Sequence, residues 1–427
     1  MMQAETKNIL SAFQAFEGNP HTGSEHVDRK YLEAREVLER LPIPNRKTEA
    51  WKYTPLNKIS NHTWRPALEE DNSILGEIDV PQVDSYIVYM MNGHVIEGQS
   101  KLFQEEGIHI LSMSDAKDKE REHFDSVYGR HADHEKNLFV ALNTAFASGG
   151  VYLRVEQGVR MKKPLHVIHV NTQADTAIMT RNIIIAEKGS DARVIHSFIH
   201  KKGVIHSNVI TEVKLEDNAR LSFEKFQSGT DSTYHYSNEE VHQGRDATFS
   251  LNTITIDGGW TRNDPHVRLK GENSICYLNG AYLPNEKELI DNHSIIDHLV
   301  PHCESHELYK GVIYDRAKGV FNGKVFVRPD AQKTNAYQQN ANIVMTETAS
   351  MNSKPELEIY ADDVKCSHGS TTGQIDNEAL FYLQCRGLSR VAAKQMLVNA
   401  FVGEVIERLS PELQEFAWNR LSAKSIS

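Results

Sequence analysis

The chain has 427 residues, which is too long for one ordinary compact core. Of these residues 39% are hydrophobic and 25% are charged, a composition that excludes a disordered protein. The 58 acidic residues outnumber the 47 basic ones, and a net charge of -11 argues against nucleic-acid binding. No apolar run reaches the roughly 18 residues of a membrane span, and residues 1–16 lack a secretory h-region, so we expect a cytoplasmic protein without membrane contact.

Residues 1–150 are predicted to form a helical or mixed N-terminal domain. Apolar residues recur at helical spacing over residues 31–41. Residues 86–96 have the pattern of a β-hairpin, because Asn92-Gly93 supplies the positive φ angles of a two-residue turn. A further helix is expected over about residues 132–147.

Residues 151–375 change to short apolar or alternating runs rich in Val, Ile, Thr, Phe and Tyr, without helical runs between them. This sequence pattern favours β-strands and argues against a fold in which strands alternate with helices. A weak tetrad recurs at offsets of 27, 28 and 27 residues, which predicts a parallel β-helix with coils of about 27 residues, unless the degenerate pattern matches by chance. The copies begin at Asp191, Asn218, Asp246 and Asn273, and they place Ala192, Ala219, Ala247 and Ser274 at equivalent positions.

Residues 376–427 are predicted to form a C-terminal helical domain. Asp376 and Ser389 stand where they can cap two successive helices, and Gly387 stands where the first must stop. Ser410-Pro411 predicts the start of a third helix, since proline is favoured in the first turn.

The four cysteines are scattered along the chain without a CxxC pair. This spacing argues against a disulfide framework and against a closed zinc site, so we expect thiols that are mostly small buried residues. They are Cys276, Cys303, Cys366 and Cys385.

The segment around Cys366 and His368 carries the strongest indication of chemistry. In a strand, these residues at i and i+2 share a face. Thiolate and imidazole both serve as ligands of iron–sulfur clusters. Two ligands do not complete a cluster, so either the pair is structural or a partner chain brings the remaining ligands.

Four histidines cluster upstream, where a spacing of four residues would align three of them on a helix. Pro301 and the strand-like surroundings argue against that helix, so packing is favoured over metal binding, although a role for the cluster stays open. The histidines are His293, His298, His302 and His306.

The chain resembles the SufB/SufD family. The stretch 353–369, which ends in Cys366-Ser367-His368-Gly369, is similar to that family's signature, and its continuation over 370–383 is similar too. Upstream matches include Trp51-Lys52-Tyr53-Thr54, and the matches together span residues 46 to about 409.

The resemblance implies a right-handed parallel β-helix flanked by helical domains, in a scaffold subunit that is not itself an enzyme. It implies a heterodimer with SufB through the ends of the β-helices, and docking of the SufC ATPase on residues 376–427. It further implies no cofactor held stably by the isolated chain, but a transient iron–sulfur cluster at the interface with SufB. His368 matches the family's ligand position, with Cys366 as second candidate, because the essential cysteines are ascribed mainly to SufB.

Two other interpretations of the sequence are possible. A SufB-like subunit would hold the nascent cluster directly, but Gly369 and Gly373-Gln374 are similar to the SufD branch of the family. A β-helix enzyme acting on polysaccharide would call for a secretory signal and clustered carboxylates, which the sequence does not suggest. Self-association of the isolated chain stays open.

Overall fold

The computed structural model of the protein describes residues 8–16, 23–68, 78–201 and 203–424. Parts of the two predicted terminal domains, residues 1–7, 17–22, 69–77 and 425–427, lie outside these ranges. Within them, no helix is both long and apolar enough to cross a membrane. The helices are α1 (Glu25–Arg40), α2 (Asn57–Ser60), α3 (Met113–Lys119), α4 (Arg121–Val127), α5 (Leu138–Phe146), α6 (Asn377–Cys385), α7 (Arg390–Ile406) and α8 (Pro411–Ala423).

The strands of the described residues form two sheets, which we call sheet A and sheet B, and the counts below refer to these residues. Sheet A has 13 strands: β1 (Arg65–Pro66), β4 (Phe103–Glu105), β5 (Ile108–Ser112), β6 (Val151–Val155), β8 (Thr176–Ala186), β10 (Ile205–Leu215), β12 (Thr233–Gln243), β14 (Trp260–Asn263), β15 (His266–Leu269), β17 (Leu289–His298), β19 (Lys318–Val327), β21 (Ser350–Ser353) and β22 (Glu356–Ile359). Sheet B has 10 strands: β2 (Tyr86–Met91), β3 (His94–Val95), β7 (Leu165–Asn171), β9 (Asp191–His200), β11 (Arg220–Ser228), β13 (Thr248–Thr255), β16 (Ile275–Tyr282), β18 (Glu304–Ile313), β20 (Asn335–Val344) and β23 (Lys365–Gly373).

The chain passes from sheet A to sheet B and back in each turn of a β-solenoid of about 8 turns. Each strand from β6 onward pairs in parallel with the equivalent strand of the next turn, as β8 does with β10. The side chains that face inward from both sheets form one long core. The predicted solenoid is therefore confirmed. The N-terminal part joins it, because β2 pairs with β7 and extends sheet B, and the domain limits at 150 and 375 stay a prediction.

The predicted alignment of the repeat is confirmed for three of its four copies. Asn218, Asp246 and Asn273 all have φ 57°, and the small residue after each is fully buried. The same turn recurs every 27 to 31 residues, at Gly189, His302 and Lys333 as well. The buried ladder that follows these turns is Ser190, Ala219, Ala247, Ser274, Cys303 and Thr334.

The placement of Ala192 in this ladder was wrong. Ala192 pairs with Leu221, two residues after Ala219, so the true equivalent of Ala219 is Ser190. A shift of two residues keeps a side chain on the same face of a strand. Ala192 is therefore still buried, and the sequence pattern could not reveal the slip.

The N-terminal segments pack against the outer face of sheet A. The Arg262 guanidinium lies 3.9 Å from the centre of the Trp51 ring and donates hydrogen bonds to Ala50 O at 2.7 Å and Asp291 at 2.8 Å. Thr54 donates a hydrogen bond to the same Asp291 carboxylate. These contacts explain the polar, aromatic segment at residues 51–54 as an anchor on the solenoid.

The predicted hairpin and helix caps are confirmed. β2 and β3 pair antiparallel around the Asn92-Gly93 turn, while Asp376 and Ser389 accept hydrogen bonds from the first turns of α6 and α7. The helix predicted from residue 132 begins only at Leu138, because Asn137 caps it there. Helices α7 and α8 pack on the outer face of sheet B, against Phe226, Ile254 and Leu308 among others.

Candidate functional site

The last strand of sheet B, β23, forms an exposed edge of the solenoid. It pairs with β20 on one side, and no other described strand covers its second side. Every residue of β23 is exposed except Cys366, which is half-buried. Such an edge offers unpaired backbone donors and acceptors to another chain.

Cys366 and His368 share one face of this strand, as the sequence predicted. Cys366 is the register partner of the fully buried Ala336 and packs against the core inside the solenoid. His368 is the partner of Gln338, so it stands on the same inward side but remains exposed at the open end. Burial raises the pKa of the Cys366 thiol, which disfavours the thiolate needed for metal binding.

Below His368, the same side-chain row continues into the core as Gln338 and Glu307. Gln338 donates a 2.6 Å hydrogen bond to Glu307, which also accepts one from Ser294. Burial raises the pKa of Glu307 to about 7, although these two hydrogen bonds act in the opposite direction. Gly323 makes room for the pair, since a Cβ there would lie 2.3 Å from the Gln338 amide nitrogen and 2.9 Å from Glu307.

The site is incomplete within one chain. In the part of the chain that the structure describes, no group of three or more His, Cys, Asp or Glu side chains could hold a metal ion. Cys366 and His368 therefore supply at most two ligands at an open edge. Chemically, the arrangement can contribute to a cluster only if another chain brings the other ligands.

The four upstream histidines are not brought together. His293 faces outward from sheet A, while His298 hydrogen-bonds to Ser305 at 2.9 Å. His302 occupies a turn with φ 60°, and His306 stacks between Tyr277 and Tyr337 on sheet B. The preference for packing over a shared metal site agrees with this separation.

The prediction that most of the four cysteines are buried is not met, because two of them are buried and Cys366 is half-buried. Cys276 and Cys303 are fully buried in the solenoid, whereas Cys385 is exposed on α6. Ser274 and Cys303, neighbours in the buried ladder, lie 3.3 Å apart as hydrogen-bond partners.

Sequence reasoning missed an exposed apolar surface on α6 and the start of α7. It is formed by Phe381, Tyr382, Val391 and Met396, which are 50% to 68% exposed. Only Leu380 of α6 is buried. The run Ala379-Leu380-Phe381-Tyr382-Leu383 carried the signal, because a helix that is apolar all round cannot bury every side in one contact.

Comparisons with known proteins agree over nearly the whole chain. The model of the SufBD protein N-terminal region matches residues 6–167, and that of the SUF system FeS cluster assembly SufBD core domain matches residues 168–401. The iron–sulfur cluster assembly protein SufD of Escherichia coli is 31% identical over 384 residues, 88% of this chain and 87% of the relative. SufD of Bacillus subtilis is 25% identical over 396 residues, 89% of this chain and 90% of the relative.

Proposed function

The chain belongs to the SufBD family of SUF-system iron–sulfur cluster assembly proteins, and from this premise we propose that it is a scaffold subunit, without catalytic activity of its own, in a complex with SufB and SufC. The observation that carries the proposal is the exposed strand β23, which presents His368 at the open end of the solenoid.

SufB is the proposed partner at this end. A second β-solenoid that covers β23 would satisfy its backbone groups and enclose His368 and Cys366 between the two chains. The transient cluster would form there, as cargo, with the remaining ligands from SufB. The right-handed winding implied by the family is part of the same proposal, since crossovers between parallel strands are nearly always right-handed.

SufC is proposed to dock on the exposed apolar surface of α6 and α7. An exposed group of large apolar side chains is typical of an interaction site. On α7, Glu404 pairs with Lys310 of sheet B at 2.8 Å. Removal of residues 376–427 would also uncover the apolar residues of sheet B that α7 and α8 bury, so point substitutions on α6 are the better probe.

Co-purification tests the proposal. The full chain, co-expressed with SufB and SufC, should elute with both in one complex that contains iron and acid-labile sulfide. Elution of the chain alone or as a homodimer, with no iron or sulfide in any shared fraction, would contradict the scaffold role.

A further inference from the structure

The row of inward side chains in sheet B that ends at His368 changes character near the open end of the solenoid. Deeper in the solenoid, on β11, β13 and β16, the residues of this row are apolar and fully buried: Phe223, Leu251 and Leu278. On the last three strands, β18, β20 and β23, the row becomes Glu307, Gln338 and His368. Polar residues confined to the last strands of the row indicate a role at the open end rather than in the packing of the core.

The side-chain amide of Gln338 is fixed by its nitrogen, which donates the 2.6 Å hydrogen bond to Glu307. Gly323 leaves the space that the pair occupies. Gln338 is only 3% exposed. Rotation of the amide would leave the buried carboxyl group of Glu307 without this donor, which is costly away from water. The direction of the amide is therefore set from the core side.

The oxygen of the same amide is a buried acceptor that lacks a donor. The Gln338 Oε1 atom has no hydrogen-bond partner among the described residues. A buried polar group normally has a partner, so its lack indicates a place for one. On the next strand, His368 is the register partner of Gln338 and stands on the same inward side, and neighbouring strands lie about 4.8 Å apart. Because His368 is exposed at the open edge, its ring can turn to meet this oxygen.

The chemistry of a histidine ligand calls for such an acceptor. A neutral imidazole has one N–H to donate and one nitrogen that can bind a metal. Histidines that bind metals nearly always donate their other N–H to an oxygen atom, which fixes the tautomer and the orientation of the ring. A carbonyl oxygen on the core side of His368 would leave the second ring nitrogen facing outward.

We propose that Gln338 is a positioning residue for His368. The Gln338 Oε1 atom accepts a hydrogen bond from the His368 ring, and Glu307 holds the amide in the orientation that this bond needs. The ring nitrogen that does not donate then faces the partner chain as an iron ligand. This last step rests on the proposed function, whereas the hydrogen bond is a property of the isolated chain.

The tautomer of His368 in the isolated full chain tests the hydrogen bond. Nuclear magnetic resonance of the chain with isotope-labelled histidine measures the ratio of the two neutral tautomers at alkaline pH, and His368→Asn assigns the signals. Gln338→Met keeps the length of the side chain but removes the acceptor. The ratio of the bonded tautomer to the other should then fall by about fivefold, the scale of one hydrogen bond. Gln339→Met, at the exposed neighbour on the opposite face, is the matched control and should keep the wild-type ratio.

Two substitutions of Glu307 test its part in holding the amide. Glu307→Gln still offers an acceptor to Gln338 and should keep the wild-type ratio, whereas Glu307→Met releases the amide and should lower the ratio as Gln338→Met does. If Gln338→Met does not fold, Glu307→Met is measured in its place. A wild-type tautomer ratio in the folded Met variants overturns the inference.

The complex with SufB and SufC gives a second readout. With Gln338→Met it should hold about a tenth of the iron and acid-labile sulfide that it holds with Gln339→Met, the scale on which metal sites weaken when the partner of a ligand is lost. Equal contents with the two variants would overturn the positioning role. If the wild-type complex holds neither iron nor sulfide, the proposed function fails, while the tautomer ratio still decides whether Gln338 binds the His368 ring.

Discussion

The amide of Gln338, which lies one strand below His368, donates a 2.6 Å hydrogen bond to the buried carboxyl group of Glu307, which lies two strands below. This places an ionisable group inside the solenoid, directly beneath the proposed assembly site. Because burial raises its pKa to about 7, the folded chain holds a proton at Glu307 that the unfolded chain releases at lower pH.

The ionisation of Glu307 should therefore lower the stability of the folded chain as the pH rises. Between its unfolded value of 4.5 and its folded value of about 7, the folded state binds more protons, so the free energy of unfolding falls over this window. Glu307→Gln should remove a fall of up to about 3 kcal/mol, measured by urea unfolding at pH 4.5 and 8. An equal pH dependence in variant and wild type would contradict the assignment, and Glu304→Gln, at a half-buried residue of the same strand, is the control.

Buried histidines should act in the opposite direction. Burial lowers the pKa of His169 to about 3, so the unfolded chain binds the proton first and stability falls as the pH drops from about 6.5 towards 3. In His169→Phe, the new ring can keep the stacking on Phe198. The free energy of unfolding of this variant should fall by about 2 kcal/mol less than that of the wild type between pH 7 and pH 5. His302→Asn serves as the control, and an undiminished loss in His169→Phe would refute the prediction.

The left-handed turns should tolerate glycine better than alanine. Asn273 has φ 57° and donates a hydrogen bond to Asp246 at 3.1 Å. Both Asn273→Ala and Asn273→Gly lose that bond, but only alanine brings a Cβ into the left-handed conformation. We expect the alanine variant to be less stable than the glycine variant by about 1 kcal/mol in urea unfolding. Equal stability of the two would contradict this account of the repeat.

The α6 surface should carry the binding of SufC. Phe381→Ser removes a side chain that is 68% exposed, so the chain should stay folded while its affinity for SufC falls by about tenfold or more, as at a central interface residue. The affinity is measured by titrating each variant onto SufC that is immobilised on a surface. Leu32→Ser, at a residue of α1 that is 54% exposed, is the matched control, and equal affinities for both variants would exclude α6 as the dock.

The sequence predicted the elements whose signals are local. The Asn92-Gly93 turn and the caps at Asp376 and Ser389 each depend on a few neighbouring residues, and the structure has them at those positions. The shared face of Cys366 and His368 followed from strand alternation alone.

Other features depend on contacts between distant residues. A slip of two residues at Ala192 preserves every inward side chain, so no pattern of apolar residues could fix the register of that turn. The pairing of Glu404 with Lys310 and the hydrogen bond from Gln338 to Glu307 arise only when separate segments pack together.

The central claim is that His368 serves cluster assembly at the open end of the solenoid. The most direct measurement is the iron and acid-labile sulfide content of the complex with SufB and SufC, purified with His368→Ala, Cys366→Ala or the neighbouring Ser367→Ala as control. We expect His368→Ala to assemble and melt like the wild type but to hold roughly a tenth of its iron and sulfide or less, the scale on which metal sites weaken. Cys366→Ala should have a smaller effect, because its thiol packs against the core. Unchanged iron and sulfide in an intact His368→Ala complex, or unfolding of the chain, would contradict the account.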